Sequence, residues 1–485
     1  MRHIEGMDRN QITFLPTSID EYVGEDNPIR VLDAFIESLD LKKLGFRNAE
    51  CKETGRPPYR PQDILKLLFY GMPNRIKSSR RLETEAYRNI EVIWLLKDLK
   101  PDFKTIADFR KDNAKGIKAV FKEFTKLSLE LGLYGKELVA IDGSKFRACN
   151  SKKNNYNDQK LQRHLKYIED RIDEYLKELD ENDAAEANDR KFTKEEIQKK
   201  IKELEGRKIK YEELQEKLEE AGESEVSTTD PDSRLMGNNK NVEVGYNVQT
   251  TVDSKHKLIL DFKVTNNPND LGELDNMALR AKKLFKDAEF EVLADKGYYR
   301  ADDLKKCIKK GITPYVATQT RSNSTGDRDF YSDKFQYDKD KNVYICPANK
   351  ELFQGRVRKE REKIIGYDYR NYDACSNCEF RKCCTKSKKG RAIFRHIDQD
   401  FLDTINYRTE ANRDKYRLRQ CIVEHPFGTV KRGWGAYYFL TKDKATVVAE
   451  MAMAFLAYNM KRAISVLGIQ KLLEILNQKR EAVLV

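Results

Sequence analysis

No apolar run in this chain is long enough to cross a bilayer: the stretch Val447 to Leu456 is interrupted by Glu450 and falls well short of the roughly 18 residues a span needs. It reads as a buried helix. The start, Met1-Arg-His-Ile-Glu-Gly, is polar and has no apolar leader core. Secretion and membrane insertion are therefore not expected, and a soluble, cytoplasmic protein is. Histidine is scarce, with five residues that form no pair placed for acid–base chemistry. His425, beside Glu424, reads as a surface residue. Of nine cysteines, Cys51, Cys149, Cys307 and Cys421 lack ligand spacing and read as small hydrophobes.

What the chain has in quantity is charge. Charged residues make up 35%, with 92 Lys and Arg against 80 Asp and Glu, a net +12. That balance favours a polyanionic partner. At 485 residues the chain exceeds one ordinary core and predicts about two to four structural units. Residues 1–130 show helical periodicity, punctuated by Gly55-Arg-Pro-Pro58, and predict a separate all-α unit whose cluster Arg75, Lys77, Arg80 and Arg81 suits phosphates. A solvent-facing helix explains the same cluster equally well.

From 151 to 227 the composition shifts to Lys and Glu. Leu161, Leu165, Ile168, Ile172, Tyr175 and Leu179 recur at alternating spacings of four and three, a heptad seam. Thr193 and Glu196 suit a capping box, and Phe192 with Ile197 a hydrophobic staple. The expectation is an antiparallel helical hairpin, a spacer or a surface for pairing subunits or touching nucleic acid. Residues 321–404 form a second insertion holding Cys346, Cys375, Cys378, Cys383 and Cys384. In an intracellular chain the Cys375-x2-Cys378 pair suits a closed tetrahedral Zn²⁺ site. Cys346, Cys375 and Cys378 are the expected ligands, with Cys384 preferred as the fourth and Cys383 competing. Neighbouring basic residues from Arg381 to Arg391 suit nucleic-acid contact.

The remaining segments, 131–150, 228–320 and 405–470, predict a mixed α/β unit, followed by a tail helix over 471–485. Leu138 to Ile141 is a short strand-like run ending in Asp142-Gly143, and Phe290 to Ala294 ends in Asp295-Lys-Gly297. Acid and glycine after a strand ordinarily make a turn. A third acid, Glu424, lies in Tyr416-Arg-Leu-Arg419-Gln-Cys-Ile-Val-Glu424-His-Pro-Phe-Gly-Thr-Val-Lys431. Pro426 and the glycines after it predict a break before Lys431.

That last segment resembles the Y-x2-R-x3-E-x6-K signature of bacterial insertion-sequence transposases of the DDE superfamily. Tyr416-x2-Arg419 and Glu424-x6-Lys431 fit. Four residues rather than three separate Arg419 from Glu424, an offset of about 100° on a helix, and Gln420 holds the strict Arg position. Whether Arg419 faces the site stays open. The Asp295-x-Gly-Tyr298 run, Ser78-Ser-Arg-Arg-Leu82 and the Cys-x2-Cys-x5-Cys-Thr form, which favours Cys384, also resemble that group.

The resemblance implies a ribonuclease-H-like α/β core with the zinc and coiled-coil insertions described. Asp142, Asp295 and Glu424 would be catalytic ligands of Mg²⁺ or Mn²⁺ for two-metal phosphoryl transfer. Tyr416, Arg419 and Lys431 would contact DNA, although Tyr416 suits packing equally. Trp434 reads as core packing ahead of stacking on DNA. The implied activity is cut-and-paste transposition on terminal inverted repeats and target DNA, by a homodimer in the bacterial cytoplasm at the nucleoid. The alternatives are a DNA-binding derivative without catalysis, and a zinc-containing coiled-coil scaffold.

Overall fold

The computed structural model describes residues 18–50, 57–184, 193–222, 224–238, 241–318, 322–360 and 362–484. Among the described residues a short 3-10 turn (Ile19–Tyr22) leads into six α-helices: α1 (Pro28–Glu37), α2 (Pro61–Gly71), α3 (Ser79–Arg88), α4 (Ile90–Leu96), α5 (Phe103–Asp112) and α6 (Ala114–Glu130). Their starts follow local chemistry. Pro28 opens α1 behind Asn27, whose side chain accepts from Ile29 N, and Asp102 caps α5 through Thr105 N. α2 is buried on nearly every side and carries Lys66, whose ammonium is neutralised by Asp33 at 2.6 Å and Glu37 at 2.5 Å. A buried cation persists only with such partners.

The sheet begins with β1 (Leu138–Arg147). The first insertion follows: β2 (Asn155–Tyr156), α7 (Asp158–Ala184), α8 (Lys194–Ala221) and β3 (Val226–Ser227). β2 and β3 pair and close its base. α7 and α8 pack together through Leu161, Ile168, Ile197, Leu204, Leu214 and Leu218. Thr193 and Glu196 form a capping box at the start of α8, while Phe192 lies outside the described residues.

β4 (Arg234–Asn238), β5 (Asn241–Asp253), β6 (Ile259–Thr265), α9 (Leu274–Leu284), β7 (Phe290–Ala294), α10 (Ala301–Lys309) and β8 (Ile312–Val316) complete the core sheet. It runs β4-β5-β1-β7-β8, with β6 also on β5. β5 pairs antiparallel with β1 and β6, whereas β7 runs parallel to β1 and β8. Strand order β6-β5-β1-β7-β8, three antiparallel strands continued by two parallel ones, is the ribonuclease-H-like arrangement. Its centre is apolar: Val139, Ala140, Ile141, Val292, Leu293 and Ala294 are all fully buried.

The second insertion is a five-stranded sheet of β9 (Gln336–Asp338), β10 (Val343–Ile345), β11 (Glu351–Glu360), β12 (Lys363–Arg370) and β13 (Ile393–His396). Two short helices, α11 (Tyr372–Ser376) and α12 (Arg381–Cys384), interrupt it and carry cysteines. It has its own small apolar cluster around Phe335, Tyr344, Leu352, Tyr369 and Ile393.

Four helices end the chain: α13 (Gln399–Ala411), α14 (Arg413–Phe427), α15 (Lys444–Leu467) and α16 (Ile469–Leu484). α15 is the buried helix over Val447 to Leu456, and it packs on α6 and β6. One continuous core runs from α1 through the sheet to α16. The N-terminal helices therefore share the sheet's core instead of forming a separate one, because α2 and α6 bury apolar faces against α15. The break expected at Pro426 comes later. α14 runs through Pro426, and a π-helical turn, Gly428–Gly433, follows. Among the described residues no helix is long and apolar enough to cross a membrane.

Candidate active site

Register brings the two aspartates together. β1 and β7 pair in parallel up to Ile141 opposite Ala294, so Asp142 and Asp295 are the next residues on adjacent strands. β7 stops there, leaving Asp295 at the sheet rim. α14 packs across β1 and β7 and places Arg419 between them. Its Nη1 lies 3.6 Å from Asp142 Oδ2 and its Nη2 3.7 Å from Asp295 Oδ1. Tyr416, one turn earlier, is half-buried and donates its hydroxyl to Ala294 O at 3.2 Å.

Glu424 lies farther along α14 on a different face. It is exposed and accepts from Gln420 Nε2 at 2.8 Å. Five residues turn a helix about 140° beyond a full turn, so Arg419 meets the aspartates while Gln420 shares Glu424's side. Among the described residues, no three His, Cys, Asp or Glu side chains are gathered closely enough to hold a metal ion. Burial pushes the Asp142 carboxyl up to about 6, and the charges of Asp270 and Asp295 add to this; Arg419 and the Gly143 N–H oppose it.

Two basic residues assigned to DNA by motif or cluster are engaged inside the protein. Lys77 is 7% exposed; its ammonium donates to Tyr438 O at 2.8 Å, sits 4.1 Å above the Tyr438 ring and lies 3.8 Å from Glu450. These contacts join Lys77 of the N-terminal helices to the segment after the π turn and leave its ammonium little exposed. Lys431 donates to Ser144 Oγ and Lys145 O, both at 2.6 Å, over the Phe146 ring at 4.3 Å. Burial brings the Lys431 ammonium down to about 8, against the pull of Asp142. Arg75, Arg80 and Arg81 are exposed, with Arg80 over the Phe103 ring at 4.1 Å. His425 is half-buried, its Nδ1 2.8 Å from the Tyr458 hydroxyl, and Trp434 packs in the core.

In the second insertion Cys346, Cys375, Cys378 and Cys384 line one cavity of about 30 Å³. Lys350 N donates to Cys346 Sγ at 3.4 Å. Burial pushes the Cys384 thiol up to about 11, and its three cysteine neighbours push the same way. Cys383 is exposed, and its carbonyl accepts from Asn323 at 3.1 Å. Cys51 lies outside the described residues.

Sequence reasoning missed Asp270, Asn247 and Gln249, which gather beside the aspartates together with Tyr298 of the Asp295-x-Gly-Tyr298 run. Asp270 sits among turn formers, Asn266-Asn-Pro-Asn-Asp270, and reads as a loop. Asn247 and Gln249 alternate with apolar residues as on a half-exposed strand, yet are 1% and 0% exposed.

Residues 17–112 match the family model of a Transposase domain (DUF772), and residues 345–464 that of a Transposase DDE domain. No curated protein matches. A solved piggyBac transposase synaptic complex with hairpin DNA is similar at 9% identity, covering 94% of this chain and 79% of that one, with a TM-score of 0.32. That score is too low to bear on the fold. Transposase models over both the N-terminal helices and the block carrying Glu424, on a ribonuclease-H-like sheet that pairs two aspartates, make this chain a DNA transposase.

Proposed function

We propose that the chain excises and inserts a DNA element by divalent-metal-dependent hydrolysis and strand transfer, with Asp142, Asp295 and Glu424 as the ligand set. The observation that carries this reading is the β1–β7 register, which leaves Asp142 and Asp295 side by side with a cation between them. The guanidinium of Arg419 stands there as the positive group that two neighbouring carboxylates require. An all-oxygen donor set suits Mg²⁺ or Mn²⁺. When bound, such a metal pair activates a water or 3′-hydroxyl and stabilises the leaving oxygen.

The chain's own residues do the rest. Arg419, on exchanging carboxylates for a phosphate, offers a forked pair of donors. Tyr416 fixes α14 to the end of β7, and Lys431 fixes the π turn to β1. Glu424 takes the third-ligand role from its motif alone, since α14 carries it on a different face from the one that meets the two aspartates. Exposed Arg75, Arg80 and Arg81 suit the phosphates of a terminal inverted repeat. Cys346, Cys375, Cys378 and Cys384 line one cavity, and the Cys375-x2-Cys378 spacing suits thiolate ligands of a structural Zn²⁺. Two ends must be held together, so a homodimer on paired ends and target DNA is the working unit. The setting is the bacterial cytoplasm, at the nucleoid.

Mg²⁺-dependent cleavage of DNA carrying both flanks of the native gene tests the proposal. Boundary nicks by the natural protein that vanish with Asp295→Asn support it. Binding without cutting by both proteins defeats it.

A further inference from the structure

Behind the catalytic strands lies a carboxylate with no place in the three-acid scheme. Asp270 sits in the loop between β6 and α9. Its Oδ1 accepts from Asn247 Nδ2 at 2.8 Å and from Gln249 Nε2 at 2.7 Å. Gln249 is held in turn by the Tyr298 hydroxyl, which donates to its Oε1. Buried polar groups of this kind are ordinarily present for a reason of geometry.

Two glycines meet this carboxylate. A Cβ on Gly143 would stand 2.4 Å from Asp270 Oδ1, 2.3 Å from Gln249 Nε2 and 2.9 Å from Asn247 Oδ1. A Cβ on Gly297 would stand 3.4 Å from Asp270 Oδ2. Gly143 directly follows Asp142, and Gly297 is two residues beyond Asp295. Gly143, which reads as a turn former, is thus the place where this side chain closes on the strand that carries Asp142, while at Gly297 it stands at ordinary contact distance beside the turn after Asp295. Asn247 Oδ1, fully buried beside them, finds no hydrogen-bond partner among the described residues. An orphaned acceptor is a cost that a packing-only arrangement would avoid.

We propose that Asp270 is a positioning residue: clamped by Asn247 and Gln249, its carboxylate braces the backbone at Gly143 and Gly297 and so sets the spacing of Asp142 and Asp295 for their divalent cations. The inference rests on the metal-dependent reading of the site. Its charge is also felt at Asp142, where it reinforces the effect of burial. Groups that orient metal ligands from behind commonly change metal affinity or activity about 10- to 100-fold when lost.

The test is a titration of the full chain with Mn²⁺ alone, followed by electron paramagnetic resonance, beside Mn²⁺-dependent end cleavage. Asp270→Ala and Gly143→Ala should each weaken Mn²⁺ binding about tenfold or more, and raise the Mn²⁺ needed for half-maximal cleavage equally. Metal-free binding to the ends should stay unchanged, while a lower unfolding midpoint is expected of Asp270→Ala, which strands two buried amide donors, and of Gly143→Ala, whose Cβ would meet Gln249 Nε2 at 2.3 Å. Asp270→Asn keeps the acceptor and the shape, and should recover most of the affinity. Should Asp270→Ala fail to fold, Gly143→Ala and Asp270→Asn decide between them. Loss of Mn²⁺ by Asp142→Asn, with natural affinity in Gly143→Ala and Asp270→Ala, overturns the bracing role alone. Natural affinity in Asp142→Asn brings down the metal reading, and the bracing role with it.

Discussion

Replacing Lys77 by alanine separates a structural pin from a DNA contact. The substitution removes a charge-assisted hydrogen bond to Tyr438 O, worth about 1.5–3 kcal/mol. It also removes a desolvated cation–π contact worth about 2 kcal/mol. Against this, the protein no longer has to bury an ammonium, a penalty of several kcal/mol in principle. Glu450 keeps its other donors, Leu440 N at 3.0 Å and Thr441 N at 3.2 Å, so it is not stranded. The net expectation is a loss of about 1–2 kcal/mol. Denaturant unfolding should show it as a lower midpoint. Arg80→Ala is the contrast, exposed and resting on Phe103. It should leave the midpoint within about 0.5 kcal/mol and reduce the salt dependence of DNA binding by about one phosphate contact. A Lys77→Ala protein of natural stability with a reduced salt slope would refute the assignment.

Arg419→Ala should lower single-turnover end cleavage by roughly 10²–10³-fold while leaving end binding nearly intact, and Arg419→Lys should recover little, because a point charge cannot bridge both carboxylates. Natural cleavage by either variant would remove Arg419 from the site. Elemental analysis should find about one zinc per chain, lost in Cys384→Ser and kept in Cys383→Ser; the reverse pattern would exchange the two cysteines.

The sheet and its acids were legible because they depend on local pattern. Apolar runs ending in Asp142 and Asp295 predict strand ends; β7 does end at Ala294, whereas β1 runs on through Asp142 and Gly143 to Arg147 because β5 pairs with it past the expected turn, and parallel pairing of β1 with β7 makes the two acids neighbours. The pattern of α7 and α8 was equally plain, since a seam on a polar helix leaves few other solutions. Lys77 was not legible. It sits in a basic cluster whose members look alike, and its partner Tyr438 is 361 residues away. Asp270 was hidden for a related reason: a loop of turn formers carries no sign that a carboxylate will be drawn against two glycines by residues of another strand. What a linear pattern misses here is the long-range partner that converts an ordinary polar residue into part of a site.

Lys431 occupies its motif position in a setting that favours a strut over a phosphate contact. Its place after Glu424 assigns it to DNA, yet the π turn swings it onto β1, where Ser144 and Lys145 take two of its donors two and three residues beyond Asp142. An ammonium already bonded twice and lying on the Phe146 ring has one donor left, so loss of a phosphate contact is not the expected consequence of removing it. Loosening of the strand that carries Asp142 is. Lys431→Ala should therefore slow cleavage without changing the slope of DNA affinity against salt, and Lys431→Arg should not rescue it, because a planar fork cannot direct donors to the same two acceptors in a filled site. A true phosphate contact would behave oppositely. Its loss would reduce the logarithmic salt slope by about 0.9, and arginine would substitute for lysine with little penalty. Measuring binding across a salt series for the two variants distinguishes a strut on β1 from a hand on DNA.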